Sequence, residues 1–520
     1  MHPPAAERPR RVRVSSYVYS FLFFALIVFL GHLWLVRLPY YWDEAGQYVP
    51  AALDILQGGA WIPHSTVPTV HPPAVMAYLA AFWSLAGCTP VATRAAMLLL
   101  ASFALLATFL LAIELSKEVR GAPAFLAVGL LAATPLFFAQ AMMAQLDAPA
   151  MLFTTLALLL FLQDRIRLSA AVCVVLVLVK ETGLVVPLVF FLWLARERRW
   201  REAAWFAAAP LALAAWMTAL FRATGHWMGS AGFVRYNLYY PWHPVRLGLA
   251  FLRRLYYLCF ADLRWVGTLA ILFAWRKRRA FRSRSWRIAW LLVAAHVVMF
   301  TLLGGAVLER YLLPALPIFY AATVAGLSLF RRIPQLACSA LLLAGLLAGN
   351  FINPPYPFPY EDNLAFADFV RLQADAADYL ARWYPEARVH TVWPLTLELS
   401  RPELGYVSHR IAVLPMPDLS PGTLGSMDWS KVQVLVAFSR TWDPRIAGFL
   451  HSAPVLRFRR RYYGYIPSAT LEEARARVPL SVAAHFERGG QWADIFVNPA
   501  VPAARPAPVQ AVRLPPHPAR

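Results

Sequence analysis

Unbroken apolar runs, rather than alternation, dominate the first two thirds of the chain. Tyr17 to Leu38 reads YVYSFLFFALIVFLGHLWLVRL, longer than the roughly 18 apolar residues that mark a bilayer-crossing helix. Further runs lie at Ala92–Leu115, Ala122–Phe138, Ala148–Leu162, Ser169–Leu194, Ala203–Phe221, Leu249–Trp275, Trp286–Leu303, Leu308–Phe330 and Ile333–Phe351. With the Ser169–Leu194 run turning back at Lys180, the pattern predicts about eleven crossings, the shorter ones relying on protein neighbours. The first run is too long for a signal-peptide core and no small-residue cleavage pattern follows it, so it is expected to be an uncleaved span.

After Asn353 the pattern changes. PPYPFPYEDN leads into a helical run at Leu364–Tyr384 and strand-like runs at Val389–Trp393 and Val432–Phe438. A small extracytoplasmic α/β domain is expected over residues 353–497, a normal domain size. The Pro/Ala/Arg-rich tail, 498–520, lacks apolar periodicity and is expected to be disordered. The remaining divisions are a basic N-terminus, 1–16, and a transmembrane region, 17–352, with a first outward loop at 39–91.

Composition agrees with this reading. Of 520 residues, 59% are hydrophobic and 15% charged, which excludes an ordinary soluble enzyme. The net charge of +21 would suggest nucleic acid in a soluble protein, but here basic groups flank the spans, and no nucleic-acid partner is expected. They crowd one set of loops: Arg8–Arg13, Arg165 and Arg167, Arg196–Arg201, Arg276–Arg287, and Arg331 with Arg332. Between Leu38 and Thr93 there is no Lys or Arg. The positive-inside rule then puts the N-terminus in the cytoplasm and the C-terminal domain outside, in a multi-pass protein of the inner (plasma) membrane. Cys88, Cys173, Cys259 and Cys338 are scattered and form no metal or disulfide pattern.

Candidate chemistry sits at the outward ends of spans. Asp43 and Glu44 follow the first span in YYWDEAGQYVPAALDILQGGAW; they suit a helix N-terminus, or a general base for an acceptor hydroxyl. The apolar residues after them suggest an interfacial helix ending near Gly58–Gly59. His71 precedes Pro72–Pro73, a stiff entry to the next helix, while the spacing of His64 and His71 fits no zinc pattern. Asp147 opens an apolar run as a cap or an acid, with Pro149 behind it. Lys180 and Glu181 interrupt VLVLVKETGLVVPL, where ionisable groups are costly. Glu309, Arg310 and Tyr311 start another span. Independent caps have no reason to choose one membrane face, whereas carboxylates beside cations suit attack on a sugar carbon with phosphate as leaving group. Loop aromatics such as Trp42, Trp61, Trp227, Tyr236, Tyr239 and Trp242 suit sugar stacking or an interfacial belt.

WDEAGQY, the His71–Pro73 HPP, LDAPAMLFTTLALLLFL, VKETGLVVP and ERYLLPALP, in that order, resemble the GT-C superfamily of membrane glycosyltransferases. The likeness is to bacterial protein O-mannosyltransferases and lipid A aminoarabinose transferases. It implies a GT-C helical bundle and a polyprenyl-phosphate-linked sugar donor used on the extracytoplasmic face. The acceptor would be a lipid, glycan or protein, and transfer would proceed with inversion. It also implies Asp43 as leading base with Glu44 beside it, and Asp147 as a second acidic position. Donor phosphate would meet His71, Lys180 and Arg310, supported by Glu181, Glu309 and Tyr311. The aminoarabinose transferases have Lys-Pro-Pro where this chain has His71-Pro72-Pro73, a departure that weighs against that particular reaction. No cofactor or metal is required, although some relatives bind a divalent cation. A transporter or lipid flippase is the competing class; it predicts mid-membrane ions and repeated broken helices. A noncatalytic scaffold is the third.

Overall fold

The computed structural model describes residues 14–117, 119, 121–277, 279–352, 356–357, 361–442, 448–450 and 452–500. The N-terminus up to Arg13 and the tail from Val501, expected to be disordered, lie outside the described residues.

Most of the chain is helical, because a long apolar segment can satisfy its backbone amides internally only as a helix. Among the described residues, six helices are long and apolar enough to cross a membrane: Ser15–His32, Pro90–Leu115, Trp200–Thr224, Arg284–Leu302, Glu309–Leu327 and Arg332–Gly349. Shorter apolar helices, Ala124–Ala133, Asp147–Leu162 and Ile166–Val179, fill the spaces between them. Asp147–Leu162 is largely buried against neighbouring helices, as a 16-residue apolar segment needs to be.

Three sequence-based spans are reshaped. The Ala122–Phe138 run breaks before Pro135, which lacks an amide proton, into Ala124–Ala133 and Pro135–Gln140. Lys180 takes extended backbone (φ −152°, ψ 126°), ending Ile166–Val179; a 3₁₀ turn, Glu181–Leu184, then leads into Val185–Arg196. Leu249–Trp275 is not one span. An amphipathic helix, Pro244–Cys259, is separated from Trp265–Lys277 by a turn in which Asp262 and Leu263 have positive φ. The expected helix ending near Gly58–Gly59 forms as Val49–Gly58, stopped by left-handed Gly59, but its first half is buried rather than interfacial.

The C-terminal strands are β1 (Tyr356–Pro357), β2 (Val389–Thr391), β3 (Val413–Pro415), β4 (Val434–Phe438), β5 (Thr441–Trp442), β6 (Ser481–Arg488) and β7 (Gln491–Val497). β1 pairs with β5, and the others form one mixed sheet in the order β3-β2-β4-β7-β6. Central β4, VLVAF, is buried along its whole length. β6 and β7 form a hairpin around Gly489–Gly490, both at positive φ, as a two-residue turn between twisted strands demands. The amphipathic Ala365–Trp383 helix lays Phe366, Phe369, Val370 and Leu380 toward the interior beside β6 and β7.

This unit is seated on the bundle. The Tyr406 hydroxyl donates to the Tyr40 carbonyl (3.0 Å), the Tyr40 amide donates to the Leu404 carbonyl (3.2 Å), and Trp42 meets Trp393 edge-on at 4.0 Å between centroids. At the other end of the bundle the basic loops meet one another through Arg199–Asp164 (2.8 Å) and Arg284–Glu197 (2.9 Å).

Candidate active site

A cavity of about 850 Å³ opens where the first loop, the Lys180 break, the 228–240 loop and the start of Glu309–Leu327 converge. Asp43, His71, Lys180, Glu181, Arg310 and Tyr311 line it, with Trp42, Tyr48, Phe233, Tyr236 and Phe300 as aromatic walls. Each charged group stands where a helix begins or ends. That is the local consequence of placing an ionisable side chain at the margin of an apolar run, where its head reaches a polar space and its neighbours remain in the bundle.

Arg310 is the hub. Its Nη2 pairs with Asp43 and its Nε lies 3.2 Å from Asp147 Oδ2. Nη1 donates to Gln145 Oε1 and Glu361 Oε2, both at 2.6 Å. Lys180 Nζ reaches the other Asp147 oxygen at 2.5 Å and stands 4.4 Å over the Tyr311 ring. His71 Nδ1 is 2.9 Å from Glu181 Oε2. Asp43 keeps 19% of its side-chain surface exposed, whereas Asp147 keeps 4% and Glu361 none; of the three acids around Arg310, Asp43 is therefore the one that faces the opening.

Neither Asp43 nor Asp147 uses its side chain as a helix cap. Their carboxylates are committed to cations, and Trp42, immediately before Asp43, is held at φ +51°. A bulky residue in the left-handed region costs about 1–3 kcal/mol and persists only where packing over-determines it; here Trp393 packs against the indole.

Two sequence candidates point elsewhere. Glu44 is fully buried; it pairs with Arg94 and accepts from the amides of Tyr41 (3.0 Å) and Ala144 (2.5 Å). With its lone pairs so occupied it is a brace between three segments, not a cavity group. Glu309 faces a separate cavity with Tyr257, Asp262 and Asp362.

Other partners were not picked out from the sequence. Glu361 is wholly buried beside Arg310 and accepts from Gln145 Nε2 (3.1 Å). Burial pushes its carboxyl up to about 8 against the pull of Arg310. Arg94 carried a legible signal, an arginine inside an apolar run. Glu361 carried none, being one of two adjacent acids at the end of a Pro-rich stretch. Among the described residues no three His, Cys, Asp or Glu side chains converge as a metal site. Asp43, Asp147 and Glu361 converge instead on the Arg310 guanidinium, which occupies the space between them.

No protein-family model and no curated protein sequence matches this chain. Among solved structures, those of ArnT share its fold. ArnT from Cupriavidus metallidurans bound to undecaprenyl phosphate aligns with 93% of this chain and 98% of its own, at 14% identity and TM-score 0.53. Its apo form covers 92% and 98%, again at 14% identity and TM-score 0.53. The oligosaccharyltransferase of Archaeoglobus fulgidus, in a complex with Zn and sulfate, aligns over 80% of this chain and 67% of its own at 14% identity, with TM-score 0.47. The chain has the GT-C fold.

Proposed function

We propose that this chain is an integral-membrane glycosyltransferase. It moves a sugar from a polyprenyl-phosphate donor to a lipid, glycan or protein acceptor on the extracytoplasmic face of the inner (plasma) membrane, with inversion. The observation that carries this reading is Asp43, the exposed acid of a buried ion cluster, standing in a cavity wall beside Arg310 and Lys180. The undecaprenyl phosphate bound by the fold neighbour supports a prenyl-phosphate donor.

In this reading the donor phosphate competes with Asp43 for Arg310 Nη2. Lys180 and His71 complete the cradle around Arg310, and Asp147 and Glu181 hold those two side chains in place. Phosphate departs as a stable anion and needs neutralisation more than protonation. Asp43, released from its ion pair, accepts the acceptor's hydroxyl proton as that oxygen attacks the anomeric carbon from the opposite side. Tyr311 supports Lys180 from below. Glu44 fixes the loop carrying Asp43 and takes no proton; Glu309 has no part.

The test is transfer by purified chain in proteoliposomes supplied with a panel of polyprenyl-phosphate sugars and candidate acceptors. Asp43→Asn is expected to fold and insert yet lose at least about a hundredfold in rate. Full activity in that variant removes Asp43 from the mechanism.

A further inference from the structure

A surface helix, Ala453–Tyr463, borders the cavity and touches its lining only at its last residue, Tyr463. It reads APVLRFRRRYY, buries none of its residues, and lies in a segment with no Asp or Glu from Gly448 to Leu471. Arg457, Arg460 and Arg461 are exposed and fall at i, i+3 and i+4, one stripe on one face. Exposed Phe458 and Tyr463 sit beside that stripe. A soluble surface rarely places aromatics among unopposed arginines; a helix lying in a headgroup layer does.

The helix is also fixed at the right level. Arg246 Nε donates to the Tyr462 carbonyl at 2.7 Å, and the Tyr462 ring meets His243 at 5.3 Å. Both anchors belong to the start of Pro244–Cys259, whose Leu252 and Tyr256 are exposed. Just before that helix, Tyr239 and Trp242 are exposed as well, the aromatic signature of a membrane–water boundary.

We propose that the Ala453–Tyr463 helix docks on the membrane surface, with Arg457, Arg460 and Arg461 holding the phosphates of anionic glycerophospholipids beside the cavity mouth. Charge attraction supplies the selectivity, since each exposed basic side chain near an anionic leaflet adds to it. The proposal needs only a membrane-spanning bundle, so it stands or falls separately from sugar transfer.

Hydrogen exchange of the helix amides in the full chain tests it, in nanodiscs of phosphatidylcholine with or without phosphatidylglycerol. Exchange is expected to slow by at least about tenfold in the anionic discs. That protection should vanish when Arg457, Arg460 and Arg461 are all changed to Gln and survive when all three are changed to Lys. Equal exchange in both discs overturns the proposal. So does protection by inorganic phosphate alone in phosphatidylcholine discs, which indicates a soluble anion, or protection in detergent that grows with protein concentration, which indicates a second copy.

Discussion

At the scale of single residues, adjacent acids have been given opposite work. Asp43 faces an opening and Glu44 faces the bundle, because the chain turns through left-handed Trp42 into a π-helical turn, Glu44–Tyr48. The two side chains therefore fail in different ways. Glu44→Gln or Arg94→Leu leaves the other member of a fully buried pair without its counter-charge, at a cost of about 3–5 kcal/mol, read as a lower thermal midpoint and poorer yield. Asp43→Asn should lower the rate with little change in that midpoint. A second buried acid makes stability depend on pH. Burial pushes the Glu398 carboxyl up to about 8, against the Tyr406 hydroxyl beside it. In the unfolded chain it titrates near the usual ~4.3, so its contribution is complete below that pH and is lost as pH rises toward about 8. In unfolding followed from pH 5 to 9, Glu398 is expected to contribute a loss of up to about 1.4 kcal/mol per pH unit within that window, and Glu398→Gln should lower the slope by that amount.

At the scale of elements, the cavity is shaped by breaks more than by helices. The Lys180 break turns an apolar run back on itself and leaves its ammonium beside Asp147; an unbroken helix would have carried it past. Opposite, Gly304 and Gly305 fold against the 235–239 turn: the Gly304 amide donates to the Asn237 carbonyl at 2.8 Å, and the Gly305 amide to Asn237 Oδ1 at 3.3 Å. A Cβ on Gly305 would stand 2.3 Å from the Tyr236 carbonyl oxygen, so backbone must move to accept it. Gly305→Ala is therefore expected to shift this wall and reduce transfer by at least about tenfold with a smaller effect on thermal stability, since the strain falls on a loop and not on core packing. Matched assays of transfer and unfolding separate the two.

At the scale of the whole molecule, the bundle and the sheet unit share one site, since Glu361 lies at the entry to the C-terminal region and binds Arg310 in the bundle. Orientation is testable without a designed reporter. Cys88 is exposed just after Ala74–Ala86 and should react with an impermeant maleimide from outside intact cells, with Cys88→Ser as the control; labelling only after permeabilisation would invert the topology. The membrane class, most helix centres and the charged groups Asp43, His71, Asp147, Lys180, Glu181 and Arg310 were legible in the sequence, because length, apolarity and the cost of a charge inside a hydrophobic run are local properties. The split of Leu249–Trp275, the β6–β7 hairpin, the burial of Glu44 and the arrival of Glu361 at Arg310 were decided only by tertiary structure. Each depends on which distant segments pack together, and a carboxylate becomes brace or base according to the partners that burial brings to it.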